Sequence, residues 1–178
     1  MRGLLTMLIL AAGLKAQSAR PSRVEIAAME KMMDQRLARF DLERPVELLG
    51  PARGVYLDGC GAVFTAEVNL LGMPGLSPFR PQIGKEDVAK LREQKLKRLP
   101  QLRALMQELM VAAAQSLDRL PGGEQVVLAL MLWSHPWEDS AGLPRVIQME
   151  ARRDALLDVA LDRRPRNALA QIVRVRED

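Results

Sequence analysis

Cys60 and His135 have the most direct claim to chemistry in this chain. A cysteine acts as a nucleophile only as its thiolate, which needs a nearby base or positive field. His135 is the single imidazole among 178 residues and Cys60 the single thiol. A small hydrolase or thiol enzyme would therefore have to use this pair. The plainer reading is that Cys60, between Gly59 and Gly61, is a small residue tolerated in a turn, where little packing could hold a catalytic geometry.

Four carboxylates form the next set. Asp58, Glu67, Glu138 and Asp139 could pair for acid–base work or offer oxygens to a hard cation. Asp58, however, is an ordinary turn residue, Glu67 falls on the expected wet face of a strand, and Glu138 and Asp139 share a loop. That loop, Ser134-His135-Pro136-Trp137-Glu138-Asp139, is chemically the richest stretch. Tryptophan combines a large apolar area with a polar edge, so Trp133 and Trp137 could meet a sugar, a peptide or a partner protein. The competing expectation puts Trp133 in the core and Trp137 over a sheet edge. The candidate binding residues are accordingly Trp137, Glu138, Asp139 and Glu67, with Cys60 and His135 as the catalytic alternative.

Other chemistries lack their signatures. Gly59-Cys60-Gly61 joins two strands and lacks the Lys-Ser/Thr ending of a phosphate loop. No Gly-x-Ser-x-Gly elbow occurs. One cysteine and one histidine cannot supply a structural zinc site, and no cofactor is implied. Aromatic residues make up only 3% of the chain, too few for the stacking platforms of single-strand binders, so nucleic acid is not the expected partner.

The candidate residues must be held by something, and the stretch best able to do so is Gly50 to Leu71. Val55-Tyr56-Leu57 and Ala62 to Leu70 flank Asp58-Gly59-Cys60-Gly61, a connector whose residues tolerate positive φ, so the segment predicts a β-hairpin. A period of two puts Phe64, Ala66, Val68 and Leu70 on a core face and Val63, Thr65, Glu67 and Asn69 on a wet one. Because an isolated hairpin is marginal in water, further strands and helices must cover it.

Those elements are readable on either side. Ser22-Arg23-Val24-Glu25 has the form of a capping box, after which Ile26, Met29, Met33, Leu37 and Phe40 recur at helical spacing until Pro45 ends the pattern. The methionines on this stripe could form an adaptable partner groove, but core is the simpler expectation. Gly72 to Pro81 holds three prolines and two glycines and predicts a loop. A long helix should begin near Gly84 or Lys85, with Pro100 either kinking it or starting a fresh helix. Gln125 to Trp133 is apolar on both faces, as in an interior strand. Arg145 to Arg152 alternates like a strand wetted on one side. Asp154 to Leu161 predicts a short helix, and Arg166 to Val175 a second short helix or a terminal strand. The fold class expected is α+β, in the order α-β-β-α-β-β. An antiparallel sheet of about four strands would be covered by the long kinked helix and the N-terminal helix.

Composition sets the setting. The chain is 48% hydrophobic and 27% charged, ordinary for a globular protein. Met1-Arg2 followed by the apolar run Gly3 to Leu14 is too short to span a bilayer of ~30 Å comfortably and predicts a signal peptide over residues 1–18, cleaved after Ala16 or Ser18. Residues 19–178 then form a single domain. Without Arg2 and Lys15, the 26 basic residues become 24 against 22 acidic ones, about +2. Such a chain is expected in the periplasm or secreted, touching the membrane only if the leader stays uncleaved.

The hairpin wording Gly-Val-Tyr-Leu and Gly-Ala-Val-Phe-Thr-Ala-Glu-Val-Asn-Leu, with Ser77-Pro78-Phe79-Arg80-Pro81, resembles a family of uncharacterised exported bacterial proteins with a leader, a hairpin and a long basic helix. The resemblance implies export and a single domain, and brings no activity with it. Together these readings favour a non-catalytic binding or structural protein of the cell envelope. Its partner would be a protein or an envelope component; alternatively the open sheet face, carrying Thr65, Glu67, Asn69, Gln148 and Glu150, takes a ligand or a second copy of the chain.

Overall fold

The computed structural model describes residues 20–72 and 83–178. The expected leader and most of the proline-rich loop 72–81 lie outside the described residues. The first element is α1 (Arg23–Ala38), followed by β1 (Glu47–Leu48), β2 (Arg53–Leu57) and β3 (Gly61–Asn69). Next come the long helix α2 (Lys85–Ser116), β4 (Gln125–Leu132), β5 (Val146–Arg152) and α3 (Arg153–Ala160). A 3-10 turn over Arg166–Ala168 leads into α4 (Leu169–Ile172) and β6 (Arg174–Glu177).

The capping box forms as its spacing requires: the Glu25 backbone N–H donates to Ser22 Oγ at 3.2 Å, and the Ser22 N–H donates to Glu25 Oε2 at 2.6 Å. Ile26, Met29, Met33 and Leu37 are all buried, so the methionine stripe is core and not a groove. The hairpin is also present. Tyr56 pairs with Ala62 and Val55 with Val63, and the turn closes through the Cys60 N–H to Leu57 carbonyl bond of 3.0 Å.

The sheet corrects the expected topology. Among the described residues it has six strands and is mixed: β1 and β2 both pair antiparallel with β3, but β3 and β4 run parallel, and β5 and β6 continue antiparallel. The physical reason is α2, whose 32 residues return the chain to the end of the sheet where β3 began. A strand entered after such a crossover must run in the same direction as the one before it. The alternation of apolar and polar residues is blind to strand direction, so only the crossover settles it. The helix also runs on through Pro100, which stands on its exposed face; no fresh helix starts there.

One face of the sheet carries the core. Phe64, Val68, Val126, Leu128, Leu130, Ile147 and Met149 are fully buried beneath the helices. Truncating a side chain such as Phe64 there typically costs about 3–5 kcal/mol. α1 packs over β1 and β2, α2 over β4 and β5, and α3 lies against α2. Gly54 permits this approach, because a Cβ there would sit 2.6 Å from the Phe64 ring and 2.7 Å from Ile26 Cγ2. The outer edge of β2 is closed by side chains of α1: Glu30 accepts from the Gly54 N–H at 2.8 Å and Asp34 from the Ala52 N–H at 2.8 Å. An edge strand whose donors are occupied this way is a poor template for stray pairing.

Among the described residues no helix packs on the opposite face. Asn69, expected on this wet side, is nonetheless buried, because it donates to Glu47 of β1 at 3.4 Å and accepts from the Leu71 N–H at 3.4 Å. Arg103 of α2 holds the last strand through a two-pronged bond to Glu177 at 2.5 and 2.8 Å. Arg153 donates to the Ala114 and Leu120 carbonyls at 3.0 and 2.9 Å, satisfying acceptors that the end of a helix and its exit turn leave open.

Candidate functional site

The residues the sequence singled out do not all meet. Cys60 is exposed in the β2–β3 turn, and its carbonyl accepts from the Gln125 N–H at the start of β4. His135 follows the far end of the same strand. Eight residues of β4 at ~3.3 Å each put the thiol and the imidazole on the order of 25 Å apart. That separation is far beyond hydrogen-bond reach and removes the dyad. The parallel course of β3 and β4 causes it: both strands start at the Cys60 end and finish at the His135 end.

Asp58 remains at the turn, where it takes an ion pair from Arg20 at 2.7 Å and a long bond from the Tyr56 hydroxyl at 3.4 Å. Glu67 is exposed on the open sheet face beside Met131 of β4. Neither approaches Glu138 or Asp139, so the carboxylates do not converge. Among the described residues no group of three or more His, Cys, Asp or Glu is placed to hold a metal ion.

What does converge lies at the exit of β4. The rings of Trp133 and His135 meet edge to face with centroids 4.2 Å apart, and His135 stacks on Trp137 at 5.3 Å with an interplanar angle of 15°. Trp133 is not core, as the sequence suggested, but 40% exposed. It extends the register of β4 by its N–H bond to the Val68 carbonyl, which points its ring to the open side with Met131. His135 stands between two clefts. One, of about 360 Å³, is lined by the loop itself, including Ser134, Leu143 and Arg145. The other, of about 520 Å³, is walled by Pro45, Glu47, Leu49 and Gly72.

The loop is fixed from beneath. Lys95 of α2 donates to Glu138 Oε2 in a pair whose side chains are 2% and 3% exposed. The other Glu138 oxygen accepts from the His135 N–H at 3.1 Å. Arg92, one turn earlier on α2, donates to the Ala141 carbonyl at 2.7 Å and lies 3.5 Å from Asp139. Asp139 in turn accepts from the Ala141 N–H at 2.9 Å. Glu138 is thus a buried anchor and not a ligand-facing carboxylate; Trp137 is half-buried and Asp139 exposed. Of the expected binding residues, Trp137, Glu138 and Asp139 share this loop and Glu67 does not.

A second buried cation, Arg98, braces the neighbouring segment. It donates to the Leu70 carbonyl and, at 2.7 Å, to the Arg44 carbonyl, lies 3.5 Å from Asp41, and covers the Phe40 ring at 5.1 Å. Burial pushes its guanidinium pKa down, and nearby Asp41 pulls it back. These contacts fix residues 40–46 and the end of β3 at the border of the larger cleft.

Sequence reasoning did not single out Lys95 and Arg98. A signal was present: Leu91, Lys95, Arg98 and Leu102 follow helical i, i+4, i+7, i+11 spacing, so both cations sit on the apolar stripe. No protein-family model, curated protein or solved structure matches the chain. The site therefore stands on its own geometry.

Proposed function

We propose that this chain is an exported, non-catalytic binding protein of the cell envelope, periplasmic or secreted, whose contact surface is the ring row Trp133–His135–Trp137. One observation carries the reading: Trp133 and His135 line two clefts and Trp137 stacks on His135 from behind, on a loop pinned from below by a buried ion pair. Rigid aromatic side chains give a partner large contact area at little entropic cost, and a supporting layer of locked polar groups is what a binding surface requires. The partner class is a protein or other envelope component. The apolar leader expected over residues 1–18 supports export, and no helix among the described residues is long and apolar enough to cross a membrane.

The thiol-enzyme alternative has no support in the geometry, since its two groups occupy opposite ends of the sheet. The test is capture from envelope extract with the purified chain, its Trp137→Ala variant and a Cys60→Ser control. The reading expects capture to be lost with Trp137→Ala and kept with Cys60→Ser. Capture that survives Trp137→Ala, or that disappears with Cys60→Ser, overturns it. Export is tested separately by joining residues 1–19 to a reporter active only outside the cytoplasm; an inactive reporter refutes that part.

A further inference from the structure

The central strand is apolar on both sides, yet the described residues cover only one of them. Val126, Leu128 and Leu130 of β4 are buried under α2, while Val127, Ala129 and Met131 face the open side and are only half-buried. Register extends this strip: Val127 neighbours Val63, which pairs with Val55, and Trp133 continues the line past Met131. Val55 remains 50% exposed. Strands that are apolar on both faces belong to sheets covered on both faces, and a contiguous apolar patch on a surface marks an interaction site.

The other half of the same face is polar. Gln148 and Glu150 of β5 adjoin Arg174 and Arg176 of β6, and Glu150 pairs with the two arginines at 3.3 and 3.4 Å. This half carries one carboxylate against two arginines and, being polar, suits a wet rim around an apolar centre. Within the apolar half two charges stand out. Arg53 and Glu67 lie on adjoining strands of the open face and neither forms an ion pair with a described residue, although Arg53 is near enough to Glu30 to favour its charged form.

We infer that the open sheet face is the contact surface between two copies of this chain. A two-fold axis lying in the interface between Arg53 and Glu67 sets each arginine against the other copy's glutamate, while the valine and methionine strips meet. An isologous contact needs such self-complementarity. The area suffices: five strand positions at ~4.8 Å spacing and, on average, about seven residues at ~3.3 Å give a face of roughly 550 Å², against about 500 Å² per partner for the smallest specific interfaces. This goes beyond the ring-row reading and does not rest on it.

The experiment is sedimentation equilibrium of the purified full chain, with circular dichroism to confirm that each variant is folded. The wild type should dimerise at micromolar concentration, and Met131→Asp should be a monomer. Glu67→Arg should weaken the dimer at least tenfold. Adding Arg53→Glu to Glu67→Arg should restore it to within a few-fold of wild type. A monomer at concentrations up to about 100 µM, where a standard interface is occupied, overturns the inference. A dimer indifferent to Met131→Asp and Glu67→Arg, or a charge reversal that Arg53→Glu fails to rescue, overturns it equally.

Discussion

Lys95 and Glu138 form a buried ion pair that joins the middle of α2 to the loop after β4, with side chains 2% and 3% exposed. An ion pair this deep is not in itself a large source of stability, because both charges must leave water. Its effect is positional. With one oxygen on Lys95 and the other on the His135 N–H, Glu138 has a single workable placement, and the ring row is set by it.

Removing one partner should therefore cost much more than removing both. Lys95→Met leaves Glu138 uncompensated and is expected to destabilise the fold by about 3–5 kcal/mol, while Lys95→Met with Glu138→Leu recovers most of that loss. Urea denaturation of the two single variants and the double variant measures the coupling. Strictly additive effects would mean that the pair is not a unit.

The β2–β3 turn predicts a contrast between neighbouring glycines. Gly61 has φ of 135°, and a Cβ there would lie 1.9 Å from the Gln125 carbonyl oxygen; Gly59 has φ of 75° and open space around it. Gly61→Ala should thus cost roughly 3 kcal/mol or more, through strain plus displacement of β4. Gly59→Ala should cost about 1 kcal/mol, from the left-handed backbone alone. Thermal unfolding of the two variants gives the comparison, and equal losses would contradict the close approach of the strands.

Acid should loosen the α1–β2 edge first. Burial pushes the Glu30 carboxyl up, but the Gly54 N–H and the Arg23 guanidinium outweigh it and hold the group below its ordinary value of 4.5. A carboxylate depressed on folding contributes stability above that ordinary value and loses it as pH falls through the folded value. Glu25, lowered chiefly by its bond from Ser22, acts in the same sense. Below about pH 4.5 the wild type should lose stability more steeply than Glu30→Gln, and hydrogen exchange at the Gly54 amide should accelerate. Parallel pH profiles for the two proteins would refute this account.

Cys60 should react freely and matter little. It is exposed in a turn at the end of the sheet away from the rings, so a maleimide should label it in the native protein. Cys60→Ser should shift stability by less than about 0.5 kcal/mol, as for surface changes without special contacts. Mass spectrometry and denaturation curves check both outcomes.

The sequence by itself determined the local pieces. Ser22 and Glu25 specify the helix start, Asp58-Gly59-Cys60-Gly61 specifies the bend, and the alternation through Phe64 and Val68 specifies which side of β3 is buried. Each depends on residues within a few positions of one another, where backbone sterics and periodicity act alone. Strand direction was decided only by the tertiary structure, because a crossover helix, and no feature of either strand, makes β3 and β4 parallel. The same holds for the site. Cys60 and His135 are both reactive types, and nothing in their spacing says that one strand's length separates them. Lys95 and Glu138 are 43 positions apart and became partners because packing buried both charges side by side. Composition records how many charges a chain has; the fold alone decides which of them lose their water.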